Sequence, residues 1–139
     1  MADNLTPEHR RKAMRAVKGK DTCLELTVAA AMTAQRWRYE RNVGELPGKP
    51  DFVFRRQRTV VFIDGDFWHG WRFPRWRDKL PPYWQQKIER NRRRDRSNFQ
   101  KLRRTGWRVI RVWGHEMDRD LDAVVARIAD ATGLVVRVR

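Results

Sequence analysis

Pro50-Asp51-Phe52-Val53-Phe54, followed by Thr59-Val60-Val61-Phe62-Ile63-Asp64-Gly65-Asp66-Phe67-Trp68-His69, is the stretch that decides the fold. The polar Arg55-Arg56-Gln57-Arg58 between the two apolar runs reads as a turn, so Phe52 to Phe54 and Thr59 to Ile63 form a hairpin. Asp51 stands at the head of one strand; the other strand runs into Asp64 and Asp66, two aromatics and His69. Hard oxygen ligands beside a titratable imidazole are what metal-assisted hydrolysis needs.

On the N-terminal side, Thr6-Pro7-Glu8 caps a basic helix reaching about Lys18 and stopped by Gly19. Asp21 or Thr22 opens a second helix with Leu24, Val28, Ala31 and Met32 on its apolar face. Trp37 to Val43 reads as a strand, and Leu46 to Pro50 as a loop whose prolines extend the chain into Asp51. On the C-terminal side, Gly70 to Pro82 is irregular. A long helix spans Tyr83 to Arg104, with Trp84, Ile88, Phe99 and Leu102 at helical spacing. Trp107 to Trp113 is a buried strand, a last helix carries Leu121, Val124, Val125 and Ile128, and Leu134 to Val138 reads as an edge strand. This order makes an α/β sandwich around a mixed sheet, one domain over residues 1–139 with a basic arm over 1–20.

The chain carries 32 basic against 17 acidic side chains, a formal charge of +15, and so expects a polyanion as partner. Arginine outnumbers lysine 25 to 7. That excess suits phosphate and guanine recognition, and a GC-rich coding sequence accounts for it equally well. With 40% hydrophobic residues and seven tryptophans the chain can bury a core. The single Cys23 excludes an intramolecular disulfide and a multi-cysteine zinc site. No apolar run reaches membrane-span length and no signal-peptide core is present, so the chain reads as cytoplasmic.

Asp51 alone is as well a turn aspartate after proline; the neighbouring strand raises it. Alternation puts Asp64 on the face of Val60 and Phe62, as either a solvated strand end or a ligand. Gly65 lets the backbone turn and leaves carbonyls open to a metal. His69, five residues on, is placed to orient or deprotonate a water. Phe67, Trp68, Trp71, Phe73 and Trp76 crowd a loop that cannot bury them all, so some should be exposed for base stacking, with Trp84 beside them. On the long helix, Asn91 and Asp95 share the buried stripe, Asp95 to pair an arginine and Asn91 to lie near the site.

These motifs resemble the very-short-patch-repair (Vsr) DNA mismatch endonucleases. The resemblance runs through Leu46 to Val53 and Val61 to His69, and through Lys12 to Ala16 with Asp21-Thr22. It continues in Tyr83-Trp84 with Lys87-Ile88, and in Gly106 to Val109 with Val112-Trp113. It implies a restriction-endonuclease-like α/β/α sandwich and a magnesium-dependent nick beside a thymine mispaired with guanine. By position, Asp51 resembles the magnesium ligand, with the Ile63 carbonyl as a second ligand. Glu25 matches the carboxylate that holds metal-bound water, and His69 the catalytic histidine. Phe67, Trp68, Trp84 and Met14 match the residues that wedge into DNA; Lys12, Arg15, Asn91 and Arg92 are further expected DNA contacts. A monomer acting on T:G duplex in the bacterial nucleoid is implied, with mismatch-repair proteins as candidate partners.

The chain departs from the family pattern twice. Asp64 stands where well-known members carry histidine, so it is a candidate catalytic group and additional metal ligand. At the positions of their structural zinc site stand Asp66, Trp71, Phe73 and His115, of which only Asp66 and His115 could bind zinc. No zinc is expected; an Asp66–His115 hydrogen bond with packing of Trp71 and Phe73 should hold that loop.

Overall fold

The computed structural model describes residues 23–137. The basic N-terminal helix, with Lys12, Met14 and Arg15, and the helix-opening Asp21 and Thr22 lie outside the described residues. Within them, helix α1 (residues 23–34) leads to strands β1 (Glu40–Arg41), β2 (Phe52–Phe54) and β3 (Thr59–Asp64). Short α2 (Phe73–Trp76) and a 3-10 turn precede long α3 (Pro82–Arg104). Strand β4 (Arg108–Trp113) and helices α4 (Gly114–Arg119) and α5 (Leu121–Thr132) complete the chain.

The sheet order is β1-β2-β3-β4. β1, β2 and β3 are antiparallel neighbours, and the turn over residues 55–58 joins β2 to β3 as expected. β4 returns parallel to β3 after the α3 crossover, pairing Phe62 with Arg111 and Asp64 with Trp113. All six residues of β3 are buried, which explains its continuous apolar run. Val61 and Ile63 pack with α1 and α5 through Val28, Met32, Val124 and Ile128. Val60 and Phe62 pack with Phe99 and Leu102 of α3. Helices therefore cover both faces, and the period-2 alternation of β3 aims Asp64 at the α3 side. The architecture is the α/β/α sandwich with a mixed sheet that the motifs imply.

Four elements differ from the sequence reading; the first is the Gly70 to Pro82 segment, read as irregular, which holds α2 and the 3-10 turn. The strand expected over Trp37 to Val43 shortens to β1, because Asn42 takes a left-handed φ of 51° that breaks extended geometry. No strand forms over residues 134–137; side chains take its backbone groups instead. Trp37 Nε1 donates to the Val135 carbonyl (3.1 Å), and Gln35 Oε1 accepts from the Arg137 N–H (2.6 Å). α4 was not foreseen, since its start is fixed by the Glu116 carboxylate reaching back to the Trp113 N–H (3.1 Å).

Candidate active site

The hairpin places Asp51 beside the far end of β3, where its Oδ2 accepts the Ile63 N–H at 2.6 Å. Asp64 ends β3 on the α3 face, opposite Asp95, which sits on the buried stripe of α3 with Ile88, Phe99 and Leu102. Asp51, Ile63, Asp64, His69 and Asp95 line one cavity of about 560 Å³. The sequence candidates Asp51, Ile63, Asp64 and His69 are thus brought together.

His69 reaches this cavity because the loop after β3 is clipped along its length. Its N–H donates to the Gly65 carbonyl (3.2 Å), which fixes His69 behind the turn. Asn91 Nδ2 donates to the Trp68 carbonyl (2.9 Å), next to the site as expected. Gly70, at φ 72°, lies so close to α3 that a Cβ would come within 2.7 Å of Arg92 Cδ. Further along, Asp66 Oδ1 meets His115 Nδ1 at 3.0 Å, and the Trp71 ring packs 4.0 Å from the His115 ring. The hydrogen bond expected at the zinc-equivalent positions is formed. Phe73 packs elsewhere, against Trp76.

Arg111 of β4, absent from the sequence candidates, organises the cluster. Its Nη2 donates to Asp95 Oδ2 (2.8 Å), and its Nε lies 2.7 Å from Asp64 Oδ2 in an ion contact too misaligned for a hydrogen bond. The guanidinium stacks 4.0 Å from the Trp113 ring centroid. Asp95 Oδ2 also meets His69 Nδ1 at 2.6 Å, while His69 Nε2 faces Asp64 Oδ1 at 3.4 Å. Asp95 pairs an arginine as expected and, beyond that, fixes the histidine ring. The available signal was an arginine inside an apolar strand, opposite a strand that ends in acid.

Burial pushes Asp51 up from the ordinary 3.8 to about 7, with the Ile63 N–H opposing and the nearby Glu25 and Asp64 charges adding to the rise. Asp64 is likewise raised by burial, against the pull of His69 and Arg111. Burial alone would lower His69; the Asp95 hydrogen bond and the Asp64 and Asp95 charges outweigh it, and the imidazolium is favoured. Asp64, His69 and Asp95 offer donor atoms within 4.8 Å of one another, a group able to hold a metal ion. Two of these carboxylates, however, already share Arg111. Asp51 has one backbone donor and no ion pair among the described residues, so a hard cation meets less competition there.

A carboxylate cluster at the end of a hairpin, with a clipped histidine beside it, has clear relatives. The profile of the family described as DNA mismatch endonuclease Vsr matches residues 2–75. The chain belongs to the Vsr family. It is 39% identical over 132 residues to a type II nicking enzyme of Neisseria meningitidis serogroup C, covering 93% of this chain and 89% of that one. The DNA mismatch endonuclease Vsr of Escherichia coli K12 is 37% identical over 118 residues, covering 81% and 74%. A type II nicking enzyme of Xanthomonas oryzae is 40% identical over 130 residues, covering 92% and 95%.

In this Vsr-family endonuclease the remaining described candidates do not line the cavity. Glu25 of α1 is close enough to act on Asp51 but is held by Arg41 Nη2 at 3.0 Å. Phe67, Trp68, Trp76 and Trp84 pack edge-to-face or stacked on one another, centroids 5.8 to 6.2 Å apart. Trp68 of the loop and Trp84 of α3 are each only 7% exposed, packed on each other, while Phe67, Trp71 and Trp76 of the loop keep partial exposure. Among the described residues the buried Trp68 Nε1 has no hydrogen-bond partner. Arg92 lies outside this cavity, with its guanidinium over Phe73 at 5.5 Å.

Proposed function

We propose that this endonuclease nicks one DNA strand beside a thymine mispaired with guanine, with magnesium as its metal. The observation that carries the reading is the partly buried Asp51 carboxylate, which among the described residues pairs only with the Ile63 N–H, in the same cavity as a histidine fixed by Asp95. The donor set fits a hard divalent cation: Asp51 supplies a carboxylate oxygen, the Ile63 carbonyl a second oxygen, and Glu25 a carboxylate for bound water. Such a cation, when bound, neutralises the scissile phosphate and acidifies water. No zinc site is proposed.

The residues divide the remaining work. Asp95 holds the His69 ring through Nδ1 and leaves Nε2 toward the reacting phosphate. As an imidazolium, His69 anchors a phosphate oxygen or gives up its proton, and it orients water once that proton has left. Asp64, standing in for the family's histidine and tied to Arg111, sets the charge around Nε2; its second oxygen is the further candidate ligand. The Phe67–Trp68–Trp84 cluster supports insertion at a weakened base step, since an unpaired buried indole N–H costs free energy that insertion would recover. Lys12, Met14 and Arg15 are proposed DNA contacts from the N-terminal arm, with Asn91 and Arg92 from α3. The chain is proposed to act as a single-domain cytoplasmic monomer, with mismatch-repair proteins as candidate partners.

A second reading keeps the nickase and drops the mismatch preference; Asp64 in place of histidine favours it. Nicking of T:G, matched and branched duplexes separates the two. The metal assignment is tested with Asp51→Ala, which should abolish nicking and keep DNA binding. Undiminished nicking would remove Asp51 from the metal site.

A further inference from the structure

His69 stands between two cavities. The second, of about 350 Å³, is bordered by His69 with Arg72, Arg92, Arg96, Arg103 and Arg111, and among the described residues no carboxylate lines it. Arg92, Arg96 and Arg103 recur at helical spacing along one side of α3. Arg72 takes a left-handed φ of 54° and stacks 4.2 Å from the Trp71 ring centroid. Arg111 is neutralised by Asp64 and Asp95, but Arg72, Arg92, Arg96 and Arg103 form no ion pair among the described residues.

A basic helix face is ordinarily just solvated; Arg90 and Arg104 fit that description, and Arg96 and Arg103 are exposed too, so the contrast lies in the cleft's shape and lining. This cleft differs in being concave, free of acid among the described residues, lined by Trp71, Phe99 and Trp113, of which Trp71 stacks with Arg72, and continuous with the histidine. Four like charges gathered in one concavity repel one another until an anion enters. Planar guanidinium forks match phosphate oxygens, and stacking on aromatic rings reduces the ordering cost of engaging them.

We propose that the cleft is a phosphodiester-binding groove for the substrate strand. The strand runs from the carboxylate cavity past His69 and sets its next phosphates between α3 and the Arg72 turn. This rests on the scissile bond lying at His69, as the endonuclease reading requires.

The test is salt-dependent binding of fluorescent duplexes in EDTA, one matched and one with a T:G pair. The Arg96→Gln/Arg103→Gln protein is compared with Arg90→Gln/Arg104→Gln, which removes equal charge from the outer side of α3. Each lost phosphate contact takes roughly 0.9 from the log–log salt slope. The cleft variant should therefore lose about 2 from the slope and bind about tenfold more weakly near 150 mM salt. The outer-side variant should lose less than half as much. Should the glutamine pair fail to fold, Arg96→Lys/Arg103→Lys keeps the charge and loses the fork, and should bind about threefold more weakly than wild type. Equal slopes for the two double variants, or unweakened binding by a folded cleft variant, would overturn the groove. The matched duplex reports on the groove alone, so missing T:G preference with an altered slope would count only against the mismatch reading.

Discussion

Arg111 changes what Asp64 can do. A carboxylate in place of histidine would ordinarily read as an extra metal ligand, yet its Oδ2 already lies 2.7 Å from a guanidinium that also holds Asp95. Removing that cation while leaving both acids strands two buried carboxylates. Arg111→Met should cost about 3–5 kcal/mol of unfolding free energy, read by urea denaturation, and Arg111→Lys should recover part of it. A loss below about 1 kcal/mol would mean that the cluster is not held by this ion pair. Asp51 gives a pH test. Its folded pKa, about 7, lies above the ordinary 3.8, so the folded metal-free protein retains a proton that the unfolded chain has released. Stability should fall as pH rises through that window, with the penalty complete above pH 7. Metal-free Asp51→Asn should therefore match wild type near pH 4 and exceed it at pH 8 by on the order of 3 kcal/mol. A difference independent of pH would refute the shift.

At the scale of elements, the hairpin and long α3 were legible because apolar runs and helical spacing are local signals. The alternation of β3 correctly sent Asp64 toward α3, and Asp95 announced itself as an acid on a buried stripe. Arg111 was not legible, because its partners come from β3 and α3 and only the parallel β3–β4 pairing assembles them. The aromatics of the loop divide: mutual packing buries Trp68 and Phe73, while Phe67, Trp71 and Trp76 keep partial exposure. Glu25 needed the family likeness to be noticed, since no pattern marked it. The loop's close approach to α3 at Gly70 offers a direct check. Gly70→Ala combines a left-handed φ of 72° with a Cβ 2.8 Å from Ile88 Cγ2. It should cost about 1–3 kcal/mol in thermal unfolding and slow nicking by displacing His69. A neutral substitution would show that the loop is not pinned there.

Across the whole molecule, charge and fold divide the labour. The sheet brings Asp51, Asp64 and Arg111 to one end; α3 carries Asp95 on its buried side and Arg92, Arg96 and Arg103 alongside. The formal charge of +15 gives long-range attraction to DNA that salt screens. Among the described residues, no helix is long and apolar enough to cross a membrane. Mismatch preference is the most specific part of the proposal, and it rests on aromatics that must leave a packed cluster to enter DNA. A mismatched step, cheaper to unstack, repays that opening more readily than a matched one. The measurement that bears on it most directly is strand-resolved, single-turnover nicking with magnesium on duplexes that vary the bases flanking a T:G pair, beside T:A and C:G controls. Cleavage confined to the thymine strand of the mismatched duplexes, and lost in EDTA, is the expected result. Equal cutting of the matched duplexes would contradict it.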